Sequence, residues 1–315
     1  MIILISLISI AVCALFLNAL YKRTNSYRNQ FIDVRKFSIK RGDGDNLQIV
    51  NLGSNHPKFG FDYSGLNVRG ENWAVGPQTL EYDFTILRNN VSHLAPNAVV
   101  VIPICLLKLF LYRQKGRTVH TKYYTFLKPK DIVEYSQLDK WSNYSFPLLF
   151  HPMRLRNLLM DVKKDNRLSL DVNLCKTEVD LNKDADRWID IWNKEFDIKL
   201  PTPTLSAENK SDIQKNIHIL KEMIEFCLSK GLRPVIAILP VTNYLYSRFT
   251  PEFIENHILA YIAEANEVKV PVKNYLTDER YTDSSLYINS FFFNTKGRKK
   301  FTKQFIEDLR AQSIL

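Results

Sequence analysis

From Ile2 to Leu20 the chain carries no charge, and only Ser6, Ser9 and Asn18 interrupt its apolar run. As a helix this stretch spans roughly 28 Å, close to the hydrocarbon thickness of a bilayer. Beyond it the pattern changes to short apolar runs alternating with helical periodicity. Residues 47–52, 98–104 and 234–239 read as strands buried on both faces, and 268–272 as a weaker fourth. Between them lie segments with apolar positions three or four apart. Residues 77–90 carry Leu80, Phe84, Ile86 and Leu87, with Pro77 suited to a first helical turn. Ser211 is placed to cap a helix through Ile213, Ile217, Leu220, Ile224 and Leu228 that Gly231 ends. Thr250-Pro251 opens another through about Asn266, and 295–310 forms a last one with Phe301, Phe305 and Leu309 on one face. Strands alternating with helices predict an α/β fold with a doubly wound parallel sheet. The pattern breaks down at about 111–205, where aromatics and charges mix around short helical pieces such as 184–196. That stretch is expected to be a large insertion. The implied organisation is a transmembrane anchor at 1–22, a linker at 23–45 and an α/β domain at 46–315.

No Lys or Arg precedes the N-terminal run, and it exceeds the apolar core of an ordinary leader, so an uncleaved anchor is favoured over a cleaved signal peptide. Val12 before Cys13 suits lipidation poorly. Lys22, Arg23, Arg28, Arg35 and Lys36 follow the run, which biases the domain toward the cytoplasm, although large domains cross despite that bias. Either membrane side is left open, within a single-pass protein of the cell envelope.

The remaining composition, 45% hydrophobic and 24% charged over 315 residues, is that of a folded chain rather than a disordered one. A net charge of +10 points to a solvated basic surface, to anionic lipid headgroups or to an anionic glycan. Nucleic acid is not expected, because Lys and Arg are spread along the chain without a binding motif. Four cysteines show neither metal nor redox spacing. With no Gly-rich phosphate loop and no His-Glu-x-x-His, neither a cofactor nor a metal is expected.

In an open parallel sheet, ligands bind beyond the carboxyl ends of the strands, here the loops after Leu52, Ile104, Leu239 and Val272. The first is the most informative. Asn51-Leu52-Gly53-Ser54-Asn55-His56 places a serine on a Gly-containing turn, where its hydroxyl can face a cleft and backbone amides can hold an oxyanion. His56, two residues on, is a candidate binding group and the nearest histidine in sequence. After the third apolar run, Thr242 and Asn243 are candidate cleft-lining groups, or simply caps of the next segment. Trp188 and Trp192, four apart on a helix, read as packing residues.

Gly53-Ser54-Asn55-His56, Gly60-Phe61-Asp62-Tyr63, and Gly70-Glu71-Asn72-Trp73-Ala74 with Gln78 resemble the N-terminal half of SGNH (GDSL) hydrolase-like proteins found in bacterial surface-polysaccharide clusters. The resemblance extends through Ile104 and again over about 211–309. It implies an SGNH/flavodoxin-like fold, Ser54 as nucleophile, Asn72 in the oxyanion hole, Gln78 as a further site residue, and action on O-acyl groups such as acetyl esters of a glycan. That family carries Asp-x-x-His before its final helix. Framed on Asn294 and Gly297, those positions are Asn289 and Phe292 here, and no histidine follows His257. Phe292 cannot take a proton and Asn289 cannot stabilise an imidazolium, so the pair reads as lost. Two functions follow: an esterase or acyltransferase of surface-polysaccharide biosynthesis or modification with impaired or no activity, or a pseudoenzyme that binds a polysaccharide or a polysaccharide-assembly protein.

Overall fold

The computed structural model describes residues 2–38, 46–112, 117–156, 174–175 and 177–315. Parts of the expected linker (39–45) and insertion (113–116, 157–173 and 176) lie outside the described residues. The chain divides into two compact units, Met1–Arg41 with Lys115–Leu168, and Gly42–Gln114 with Ser169–Leu315.

The first unit begins with α1 (Ile2–Tyr21), the one helix among the described residues long and apolar enough to cross a membrane, a property it shares with signal sequences. Thr24 ends the run and caps the turn Asn25–Arg28 by accepting the Tyr27 N–H. Aromatic side chains carry this unit: Tyr27 meets Tyr21 and Phe31 edge to face, Phe31 meets Tyr144, and Phe37 stacks on Phe126. The last turn of α1 is built into it. The Asn18 amide donates to the Ser145 carbonyl at 3.1 Å and accepts the Leu148 N–H at 3.1 Å, and Tyr21 is fully buried.

The second unit is a five-stranded, all-parallel sheet of order β2-β1-β3-β4-β5, formed by β1 (Leu47–Asn51), β2 (Gly70–Asn72), β3 (Leu94–Pro103), β4 (Arg233–Ile238) and β5 (Val272–Asn274). This is the flavodoxin-like doubly wound order, whose strand sequence reverses between β1 and β3. The three strong apolar runs become β1, β3 and β4. β5 starts where the predicted fourth strand ends, because Lys269 has a left-handed backbone and pairing with β4 begins at Val272. β2 has no apolar run. It forms on the edge by pairing Gly70, Glu71 and Asn72 with Ile49, Val50 and Asn51.

The helices that matter for the site are α2 (Asn55–Gly60), α3 (Leu80–Asn90), α4 (Glu178–Phe196), α5 (Ala207–Ser229) and α6 (Thr295–Ala311). α3 starts three residues after Pro77, with Thr79 at its N-cap. α5 starts ahead of Ser211: Ser206 accepts from the Asn209 N–H while Asn209 reaches back, a reciprocal box. Thr250 caps Pro251–Ile254 as the sequence predicts, and the chain runs on through π geometry at Glu255–Leu259 into Ala260–Ala265. Against one sheet face Phe301, Phe305 and Leu309 of α6 pack on Ile49, Val99, Val101 and Val235, as their spacing predicts. That core fixes the carboxyl ends of β1 and β3, where the strand order reverses.

Candidate functional site

At the end of β1 the backbone takes a turn that glycine permits. Gly53 has φ +114°, and a Cβ there would run into the Pro57 ring. Its carbonyl accepts the Val75 N–H at 2.9 Å and the Gln78 side chain at 3.2 Å, and its N–H donates to Asp83 Oδ1 at 2.7 Å. The Gly53 amide is thus spent on a carboxylate and is not a donor toward a ligand. Ser54 follows, half-buried, and its Oγ accepts the backbone N–H of Gln78 at 3.0 Å. No imidazole or carboxylate among the described residues hydrogen-bonds that hydroxyl.

Beneath the turn lies a buried ion pair. Asp83 on α3 accepts from Gly53 and from the Gln78 amide through one oxygen, and its other oxygen meets Lys108 Nζ at 2.8 Å. Lys108 also donates to the Gln78 carbonyl at 2.8 Å, and both charged side chains are at most 4% exposed. A buried charge is tolerable only when paired and hydrogen-bonded. Here one pair fixes the backbone on both sides of Ser54. Sequence reading missed Asp83 and Lys108. The one local signal was a single lysine inside the apolar run from Ile104 to Leu111.

Above the turn opens a cleft of about 150 Å³. Its polar floor is Ser54, Asn55, Gln78 and Lys108, and its apolar walls include Trp188, Trp192, Phe196 and Phe291. Cys105, just past β3, and Glu195, near the end of α4, complete the lining. Burial pushes the Cys105 thiol up to about 12, so it is no thiolate at neutral pH, and burial likewise raises the Glu195 carboxyl. Trp188 and Trp192 combine two roles: they pack on Phe291 with ring centres 5.1 and 5.4 Å away, and they face the cleft.

The sequence-derived candidates divide. Ser54, His56 and Gln78 come together. The His56 ring is buried, Nε2 donates to the Pro240 carbonyl at 3.2 Å, and among the described residues Nδ1 has no hydrogen-bond partner. Burial holds its pKa down at about 3, against a smaller opposite effect of the Pro240 carbonyl. The ring is therefore neutral and lies 4.4 Å from Phe291. Gln78 is 1% exposed and turned toward Gly53 and Asp83, so its backbone rather than its side chain meets Ser54.

Asn72 has another occupation. Its Nδ2 donates to the carbonyls of Pro57, Lys58 and Phe61, while Oδ1 accepts from Asn51 Nδ2 and the Ala74 N–H. The amide ties β2 to the end of α2 and gives nothing to an oxyanion at Ser54. Thr242 is 1% exposed, caps Asn243–Tyr246 and donates to the Ser290 carbonyl at 2.8 Å, while Asn243 is exposed; neither lines the cleft.

The loop before α6 is aromatic. Asn289 Oδ1 accepts the N–H groups of Phe291 and Phe292 at 3.0 and 2.8 Å, shaping the turn. Phe292 packs against Phe59 and Trp188, at 5.1 and 5.5 Å, and its neighbour Phe291 is the ring that lines the cleft. Ser290 is fully buried and gives both N–H and hydroxyl to Asp184, which fastens α4 to this loop. Among the described residues no group of three or more His, Cys, Asp or Glu is placed to hold a metal ion.

No family model and no curated protein matches the chain. Among solved structures it is similar to the YxiM protein of Bacillus subtilis, at 12% identity and TM-score 0.38, over 85% of this chain and 57% of that one. It is also similar to a Bacteroides fragilis protein with a provisional acylhydrolase designation, at 10% identity and TM-score 0.36, over 90% of this chain and 96% of that one. The chain thus spans little more than half the length of the first of these.

Proposed function

We propose that this is a membrane-tethered protein of SGNH-like fold that serves surface-polysaccharide biosynthesis or modification in the cell envelope, by holding an O-acylated sugar at Ser54 without hydrolysing it. One observation carries the reading: the Ser54 hydroxyl faces a ligand-sized cleft and, among the described residues, has only the Gln78 N–H on it. A serine hydroxyl without a base is a poor nucleophile near neutral pH. His56, neutral and fixed on Pro240, does not supply one, and the Asp-x-x-His positions are filled by Asn289 and Phe292. Binding is well supported chemically. A dry apolar cavity of ~150 Å³ admits a ring the size of benzene, and this cleft has the same volume with a polar floor. Indole and phenyl walls suit the apolar face of a sugar or a short acyl group, while Ser54, Asn55 and Lys108 orient its oxygens.

Glu195 favours a second, catalytic reading as esterase or acyltransferase. It is the carboxylate on the cleft wall, burial raises its pKa, and a raised carboxylate is the kind that can take a proton from a serine. Turnover of a chromogenic acetyl ester by the full chain, beside Ser54→Ala and Glu195→Gln, separates the two. The binding reading expects no Ser54-dependent turnover, together with a change in tryptophan fluorescence on titration with acetylated xylan fragments. Turnover lost in both variants would establish the enzyme instead.

A further inference from the structure

Among the described residues, the first unit exposes large apolar side chains in one place other than α1. Leu138, Trp141, Leu149, Phe150, Met153 and Leu155 are between 40% and 86% exposed within one short stretch. Elsewhere outside α1 such residues occur mostly singly, as Leu228 does, which is ordinary for a protein surface. The stretch is helical at Gln137–Lys140, Trp141–Ser145 and Pro147–Phe150. Leu138 and Trp141 lie about one turn apart. Pro147 and Leu148 are buried while Leu149 and Phe150 face outward, so the segment has an inner and an outer side.

Asn18 fixes the depth of this segment. It stands three residues before the end of α1, about 4.5 Å along the axis from Tyr21. Both halves of its amide are spent on the backbone of Ser145 and Leu148. In hydrocarbon an unpaired side-chain amide is costly, and this pairing removes the cost. Residues 145–148 therefore sit level with the last turn of the apolar helix. Whatever projects outward from them at that level meets the edge of the same bilayer. The surroundings fit an interface: Lys22 Nζ lies 5.0 Å from the Tyr144 ring, Tyr27 donates to the Tyr144 carbonyl, and Arg23 and Arg28 follow the helix. Tyr, Trp and Lys or Arg are the residues that anchor at headgroup level.

We infer that residues 138–155 form an interfacial element, with Trp141, Leu149, Phe150 and Met153 dipping into the bilayer beside α1. The inference rests on the membrane tether proposed above. It also gives the last turn of α1 a structural duty, since a cleaved leader would take Asn18 and Tyr21 out of the unit they complete. The occupant of the outer side is lipid, because the segment is joined to a span and bordered by cations.

The test uses the full chain in phosphatidylcholine–phosphatidylglycerol vesicles, with and without lipids brominated near the headgroup end of the acyl chain. Brominated lipid should quench the wild-type tryptophan fluorescence, and Trp141→Phe should lose the larger part of that quenching, its far-UV circular dichroism unchanged. Asn18→Leu should still float with vesicles at alkaline pH but show weaker quenching. Equal quenching in wild type and Trp141→Phe, with both floating, would overturn the interfacial element and leave the tether standing. So would a Trp141 signal that is blue-shifted but insensitive to bromine, which means a protein partner covers it. A wild-type chain that alkaline pH strips from the vesicles overturns the tether and this inference together.

Discussion

The turn after β1 and the loop before α6 both come to rest against His56 or its helix, yet they are held by opposite means. The first is fastened by charge and hydrogen bonds: Asp83 and Lys108 grip Gly53 and Gln78 from below. The second is fastened by rings, with Phe291 and Phe292 stacked on one another at 4.7 Å and set against Trp188. In a serine hydrolase both sides must be polar, because one presents the nucleophile and the other takes its proton. Here the turn that carries Ser54 has a polar scaffold, while the loop before α6 is packed with rings. Under the binding reading proposed above, a cleft made this way holds its shape for a ligand and offers the serine no path for its proton.

The charged side should be the more fragile. Lys108→Met keeps the length of the side chain and strands the Asp83 carboxylate in the interior. Removing one partner of a buried pair costs about 3–5 kcal/mol. The unfolding midpoint in denaturant should fall accordingly, and so should any binding signal from Trp188 and Trp192. A loss below about 1 kcal/mol, the range of exposed pairs, would mean that water reaches this pair and the comparison fails on that side.

The aromatic side answers to volume. Phe291→Ala removes a ring that is 7% exposed and in contact with His56, Trp188 and Trp192. Emptying such a site costs about 3 kcal/mol, the lower end for Phe→Ala, because this cavity can open to the cleft. Phe291→Leu should recover most of that loss if shape is what matters. A stable Ala variant would show that the loop is held by the Asn289 turn and the Ser290–Asp184 bonds instead.

The difference between the two sides also marks what the sequence makes legible. β1, β3 and β4 are readable because strands covered on both faces must be largely apolar, as 98–104 and 234–239 are and as 47–52 is apart from Gln48 and Asn51. β2 is not, because Gly70, Glu71 and Asn72 sit on an edge where pairing alone defines the strand. The Ser54 turn is readable from Gly53 and its place at a strand end. Asp83 and Lys108 are not, since they stand far apart in sequence and only the reversal of strand order beside β1 brings α3 and the segment after β3 together. Trp188 and Trp192 announce one helix face by their spacing, but nothing local says that this face meets both Phe291 and a cleft. Asn72, the oxyanion candidate that the sequence resemblance implies, holds three carbonyls instead, a bonding pattern that residue identity alone does not reveal.

The finest test concerns His56, where the two sides meet. Its ring is buried against Phe291, with Phe292 a little farther off, and its one described hydrogen bond goes to the Pro240 carbonyl. Folded, the imidazole stays neutral down to about 3; unfolded, it gains a proton below about 6.5. Between those values the unfolded state binds the extra proton, so stability falls as pH drops from 6.5 toward 3 and is untouched by this group above 6.5. By about pH 5 the loss amounts to about 2 kcal/mol. His56→Gln keeps a donor for Pro240 and has no proton to gain. The stability difference between wild type and variant should therefore shift by about that amount, against the wild type, between about pH 7 and pH 5. A flat difference would place the ring in contact with water. Ser54 would then have a titratable base two residues away, and the seam between the polar and aromatic sides would be open to a proton path.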